Sequence, residues 1–237
     1  MKVFPYNFTY RKICIISLLI LIFSGCAATI QNLSKTQYVK EGFNPNELNN
    51  YGIALLPIAA GQGQEGYRRP YGDAINTVMN NSFKEVNFIP WQQTMNILND
   101  SSLTKEYEDL ILTYRSTAII DKTLMQDIGQ VLNIRYLLFV SLEDFSKSKE
   151  TSYNFLLGWH TTKTAIVNGF AQVWDCNKGD VVWEGYGTAY SEGGELTYEK
   201  DYEEYSMVAA KGLVYKLFNL EDENQKKSND AFDSWNR

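Results

Sequence analysis

Apolar and polar positions divide the chain into stretches of different period. Ile13 to Phe23 is almost wholly apolar, Gln31 to Asn50 is polar without a sustained period, and Tyr51 to Ala60 is apolar again. A short continuous run such as Tyr51 to Ala60 suits a strand covered on both faces, with Pro57 placing its end near a sheet edge or at a bulge. After a glycine-rich turn, Tyr71, Ala74, Ile75, Val78, Met79 and Phe83 recur mostly at three- and four-residue intervals, which predicts an amphipathic helix with Pro70 in its first turn. Val86 to Ile89 reads as a short strand, and after Pro90 the residues Trp91, Met95 and Leu98 share one helical face. Thr104 is placed to cap a helix carrying Tyr107, Leu110, Ile111 and Tyr114. Asp121 is placed to cap another, with Leu124, Ile128, Val131 and Leu132 inward.

From Tyr136 the period shortens. Tyr136 to Val140 predicts a second central strand, followed by strands over Ser152 to Trp159, Thr162 to Trp174 and Val181 to Tyr190, the last two joined by a hairpin turn at Asp175-Cys-Asn-Lys-Gly-Asp180. Tyr153, Phe155, Leu157 and Trp159 fall on one face of the first of these, with its turn at His160-Thr161. That face reads as half-buried, as an exposed aromatic patch for a protein partner, or as a hairpin that enters a membrane. Ala165, Val167, Gly169, Ala171 and Val173 alternate with bulkier or polar residues, so one face admits a helix closely. The helix that fits is the last, where Tyr198, Tyr202, Tyr205, Ala209, Leu213 and Leu217 form a stripe between Thr197 and Leu220. Glu221 to Arg237 is charged and without period.

At 237 residues, the chain holds one ordinary domain or at most two small ones, and 44% hydrophobic with 14% aromatic residues supplies a core, which excludes a disordered chain. The formal charge is −6, and three of the 22 basic residues, Lys2, Arg11 and Lys12, lie in the first 25 positions; the remainder carries 19 basic against 28 acidic residues. An acidic body without a long basic cluster excludes a nucleic-acid partner.

Basic residues ahead of an apolar run that ends in small residues have the layout of a signal peptide. Phe23-Ser24-Gly25-Cys26 resembles the lipobox of bacterial lipoproteins, with Phe23 where that family usually has Leu. The resemblance implies cleavage between Gly25 and Cys26, acylation of Cys26 with fatty chains such as palmitate, and, with Ala27 next, residence at the outer membrane facing the periplasm. Two or three acyl chains make such an anchor effectively permanent. The other reading is an uncleaved anchor, since the weakly apolar residues to Ile30 extend the run from Ile13 to 18 residues, close to the ~20 a spanning helix needs. Of three cysteines, Cys14 leaves with the signal and Cys26 is acylated, so Cys176 is a packed residue, an intermolecular disulfide partner or a nucleophile. Residues 26–50 then read as a lipidated N-terminus and flexible linker, whose twenty residues from Gln31 to Asn50 reach roughly 25 Å.

The element order predicts an α/β fold, a single-domain sandwich over 51–220 with a mixed β-sheet flanked by helices, preceded by a signal peptide (1–25) and tether and followed by a polar tail (221–237). That order, the Leu55-Leu56-Pro57 strand end, the passage from Ile128-Gly129 to Leu138, and Val173-Trp174-Asp175 leading through Gly179-Asp180 to Trp183 together resemble a lipoprotein superfamily. Its members include the curli secretion channel, the penicillin-binding-protein activators and the N-terminal domain of TolB, and the resemblance implies their anticodon-binding-like fold.

Chemistry is sparse. Gly61-Gln-Gly63-Gln-Glu-Gly66 matches the spacing of a dinucleotide loop, but the ribose-binding acid due about twenty residues on is missing at the end of the next strand. The loop reads as flexible, with Arg68 and Arg69 available to an acidic partner. His160 is the single histidine, so a multi-histidine metal site is excluded and Cys176 with His160 is the one conceivable thiol dyad. Asp175, Asn177 and Asp180 lack the later ligands of a calcium loop. Glu192, Glu195, Glu199, Asp201, Glu203 and Glu204 suit a solvated helix start, or contact with cations or a basic partner. No cofactor or metal is expected. The sequence therefore points to a non-enzymatic, membrane-anchored lipoprotein that binds an envelope protein in assembly, secretion or cell-wall support. A homo-oligomeric outer-membrane secretion channel and an enzyme of unknown reaction stand as alternatives.

Overall fold

In the computed structural model, residues 29–155, 158–193 and 201–220 are described. In chain order they form β1 (Gln31–Asn32), β2 (Lys35–Val39), α1 (Glu47–Tyr51), β3 (Ile53–Leu55), β4 (Ala59–Ala60), a 3-10 turn (Glu65–Tyr67), α2 (Arg68–Ser82), β5 (Phe88–Ile89), α3 (Trp91–Asp100), α4 (Thr104–Thr117), α5 (Lys122–Leu132), β6 (Tyr136–Asn154), β7 (Gly158–Asp175), β8 (Asp180–Gly193) and α6 (Tyr202–Leu217). The strands make one mixed sheet in the order β1-β8-β7-β6-β3-β5, with β2 also on β8 and β4 also on β6. β5, β3 and β6 run parallel, while β6, β7 and β8 form an antiparallel meander.

Helices cover both faces, which is why the central strands are apolar without alternation. Ile53, Leu55, Leu138, Val140, Val167, Ala171 and Val173 meet α2 and α6 on one side. Ala54, Leu56, Leu137, Phe139 and Trp174 meet α3, α4 and α5 on the other. The mixed α/β sheet flanked by helices is thus the fold of the chain. Asp121 caps α5 as its position predicts, its carboxylate accepting the Leu124 N–H at 3.1 Å. Thr104 does not cap: it is the first residue of α4, and its hydroxyl donates to Asn99 Oδ1. Val131 faces outward, with Met125 and Gly129 taking the buried positions beside Ile128 and Leu132.

Two readings of the sequence are corrected. Residues 31–51 are not a tether: β1 and β2 pair antiparallel with β8, and α1 buries Leu48 completely. An edge strand is held by backbone hydrogen bonds and shows little apolar period, so polar sequence conceals it. Its buried polar groups are internally satisfied, with Asn32 Oδ1 accepting the Ser34 N–H at 2.9 Å and Ser34 Oγ accepting that of Thr188 at 3.0 Å. Second, Ser152 to Trp159 is not one strand with a turn at His160-Thr161. β6 runs through Asn154, β7 starts at Gly158, and His160 and Thr161 pair with Ser152 and Thr151.

Close packing of α2 and α6 depends on two glycines opposite each other, Gly169 on β7 and Gly187 on β8. A Cβ at 169 would stand 2.3 Å from Tyr71 Oη, and one at 187 would stand 2.5 Å from the Ala209 carbonyl oxygen. Gly187→Ala is therefore expected to cost about 1–3 kcal/mol, because backbone of α6 must move. Denaturant melts should show this loss, while Gly66→Ala, with nothing within 4 Å, should melt within about 0.5 kcal/mol of the parent.

Candidate functional site

Among the described residues, the β6–β7 ladder outruns the rest of the sheet. Lys149 and Lys163 form its last rung shared with β8, where Lys163 pairs with Gly193. Beyond it, Glu150–Asn154 and Gly158–Thr162 continue as a two-stranded arm, which at ~3.4 Å per residue projects about 17 Å. Its shaft is polar on both faces. Lys149, Thr151, Thr161 and Lys163 share one face, with the two threonine hydroxyls 3.3 Å apart, and Ser148, Glu150, Thr162 and Thr164 share the other. The root is clamped by Phe145, whose ring lies 4.7 Å from that of Tyr67 and 4.6 Å from that of Tyr202 on α6.

At the far end the arm turns aromatic. Tyr153 and Trp159 are register partners with rings 5.3 Å apart and inclined at 62°, a cross-strand contact that stabilises a hairpin end lacking a core. Phe155 occupies the turn. Tyr153, Phe155 and Trp159 are 61%, 88% and 76% exposed, so three of the four predicted patch residues come together at a tip and are not half-buried. Leu157 lies outside the described residues, as do Gly25 and Cys26. The chain nonetheless has a defined approach: Gln31 pairs with Tyr190, Tyr190 with Ile166 and Ile166 with Ser146, so it enters β1 from the end of the sheet that carries the arm.

The opposite end is built around Arg135. Its guanidinium binds Asp175 through Nε and Nη2 (2.7 Å for Nη2) and Glu47 through Nη1 at 2.8 Å, and the Tyr136 hydroxyl donates to Glu47 at 2.7 Å. Hydrogen bonding to Asp175 raises the guanidinium pKa further and keeps it charged. Asp175 also accepts the Asn177 N–H at 3.0 Å, so this aspartate organises the hairpin turn. Gly179 in that turn takes φ +74°, which a side chain would strain. Beside the cluster lies an open bowl of about 620 Å³. Cys176 forms its floor, 2% exposed, and burial pushes its thiol pKa up to about 12. His160 and Cys176 belong to one extended stretch, about 50 Å apart along the strand, so the thiol dyad does not form.

In the glycine loop the Gly61 N–H donates to the Leu142 carbonyl on β6 and the Gln64 N–H to the Gly61 carbonyl. Glu65 accepts the Gly63 N–H, and this bond together with Glu65's own N–H holds its carboxyl below the ordinary range. Arg68 and Arg69 border a smaller cavity of about 380 Å³ over Ile58, Trp91 and Met95. Of the acidic stretch, Asp201 holds the N-cap position of α6 without a side-chain cap hydrogen bond, and Glu203 and Glu204 lie in the first turn, while Glu195 and Glu199 lie outside the described residues. Among the described residues no group of three or more His, Cys, Asp or Glu gathers as metal ligands, and no helix is long and apolar enough to cross a membrane.

No protein-family model matches the chain, and no curated protein matches it. Solved structures do resemble it. The PelC dodecamer from Paraburkholderia phytofirmans is 12% identical, covering 82% of this chain and 99% of its own at a TM-score of 0.39. Lipoprotein GNA1162 from Neisseria meningitidis is 15% identical over 60% of this chain and 83% of its own, at 0.31. The LpoB C-terminal domain from Salmonella enterica is 13% identical over 62% and 85%, at 0.33. At these identities and TM-scores each likeness is distant.

Proposed function

We propose that this chain is a lipid-anchored lipoprotein of the outer membrane, held through acylated Cys26 and facing the periplasm, whose folded domain binds an envelope protein as an assembly, secretion or cell-wall accessory factor. The observation that carries the reading is the arm. Three large aromatic side chains stand in solvent at the end of a polar shaft, and exposed aromatic clusters of this kind mark protein contact sites, where Tyr and Trp supply much of the binding energy. Burial pushes the Cys176 thiol pKa up to about 12, which argues against a thiol nucleophile and supports a binding role.

The arm differs from a barrel hairpin. A membrane-spanning strand pair needs one face apolar along a band of about 25 Å. Here one face carries Lys149, Thr151, Thr161 and Lys163 and the other carries Ser148, Glu150 and Thr162, so the composition favours an accessory protein over a channel wall.

In cells, a photocrosslinker at position 155 is expected to capture a discrete envelope protein, and Tyr153→Ala with Trp159→Ala should abolish the product while changing stability by about 0.5 kcal/mol or less. Undiminished crosslinking in the double variant would remove the tip as the binding site. Cys26→Ser is expected to eliminate palmitate labelling and release the protein from the membrane fraction. An unlabelled parent protein would overturn the anchor.

A further inference from the structure

We infer that the bowl at the end of the sheet remote from the arm is a binding site for a neutral saccharide. Six carboxamide side chains line it: Asn50 in α1, Asn87 before β5, Gln126 and Gln130 from α5, Asn133 at its C-cap, and Asn177 from the β7–β8 turn. Gln126 and Gln130 stand one turn apart on one face of α5, and Asn133 follows as its left-handed C-cap at φ +51°. A carboxamide offers two donors and an acceptor without charge, which matches hydroxyl and acetamide groups that both give and take hydrogen bonds. Gln126 Nε2 donates to the Asn177 carbonyl at 3.2 Å, tying α5 to the turn.

The remaining wall fits the same ligand. Tyr51 is 51% exposed, and its ring is backed by the Arg135 guanidinium 5.0 Å from the ring centroid, which holds it as a platform for the C–H face of a pyranose. Arg135 is the charged group of the lining, and its cation is already met by Asp175 and Glu47 at 2.7 and 2.8 Å. An anionic ligand would compete with both carboxylates, whereas a neutral one leaves the cluster intact. The floor has no charge, because Cys176 stays a thiol, and Gly129 lets α5 seat closely on it: a Cβ there would lie 2.7 Å from the Cys176 Sγ. At about 620 Å³ the bowl falls within the usual range of small-ligand sites. In the anchored reading above, it opens on the side away from the lipid.

The test uses the full chain in detergent, titrated with N,N′-diacetylchitobiose and cellobiose, and with glucose 6-phosphate as the anionic comparator, followed by calorimetry and saturation-transfer NMR. Saturable binding of a neutral disaccharide is expected, weakened at least tenfold by Tyr51→Ala and about threefold or more by Gln130→Ala, an exposed helical position whose change leaves the melting curve in place. Preference for chitobiose would assign the amides to acetamide recognition, and equal binding of cellobiose would assign them to hydroxyls. Absence of neutral-sugar binding at 10 mM, stronger binding of glucose 6-phosphate, or binding unaltered in both variants would overturn the inference. None of these results depends on crosslinking at the arm, so the two readings fail separately.

Discussion

Arg135→Ala is expected to destabilise the domain by about 3–5 kcal/mol, the range for removing one partner of a buried ion pair. Asp175 is only 1% exposed on its side chain and Arg135 17%, so deleting the guanidinium strands a carboxylate that water cannot reach. Glu47 loses its ion-pair partner at the same time, leaving the Tyr136 hydroxyl alone to tie α1 to the start of β6. Arg135→Lys should recover only part of the loss, since an ammonium cannot reproduce the forked contact with Asp175 while reaching Glu47. Glu47→Gln should be mild, about 1 kcal/mol, because that side chain is 31% exposed and Tyr136 can still donate to the amide oxygen. Urea melts of the three variants measure the order Ala, Lys, Gln from most to least damaging. A change below about 1 kcal/mol for Arg135→Ala would show that the cluster does not hold the domain together.

Trp174→Ala should cost a similar about 3–5 kcal/mol by a different mechanism. The indole is fully buried, stacked on Phe139 at 5.1 Å and 11°, with Tyr114 edge-on at 5.2 Å. Its Nε1 donates to Gln172 Oε1 at 2.9 Å, the same oxygen that accepts the Tyr114 hydroxyl at 2.6 Å. Alanine would leave a large cavity under α4 and weaken the hold on a buried glutamine. Trp174→Phe keeps much of the stack and loses the hydrogen bond, so it should fall between the parent and alanine. Thermal melts compare the two variants, and equal losses would assign the whole effect to the hydrogen bond.

Trp174 also explains why the strand-turn-strand passage is readable in the sequence. Trp174 points into the core under α3, α4 and α5, while Trp183 across the turn points into the core under α2 and α6. One hairpin thus plants a large ring in each of the two cores. Ile53 to Leu55, within the apolar run from Tyr51 to Ala60, and Tyr136 to Val140 are equally legible, because strands covered on both faces must be apolar throughout; Tyr51 itself ends α1, and Ala59–Ala60 forms a separate short strand. The arm is harder to read: polar on both faces, it shows neither apolar alternation nor an early turn signal, so its aromatic residues can be counted but its tip cannot be placed. The amide bowl is harder still, since Gln126, Gln130 and Asn133 look in sequence like any solvated helix face.

By itself, the sequence determined the helices from α2 to α6, the central strands and their covering on both faces, the acidic charge of the body, and the aromatic residues available for contact. These follow from local composition and period, which act over a few residues. Only the tertiary structure decided that Gln31–Asn32 and Lys35–Val39 join the sheet, that Arg135 meets partners 88 and 40 residues away, and that the arm and the bowl lie at opposite ends. Edge pairing through backbone groups and charge pairing across long loops depend on which segments the fold brings together, and neither leaves a periodic trace in the chain.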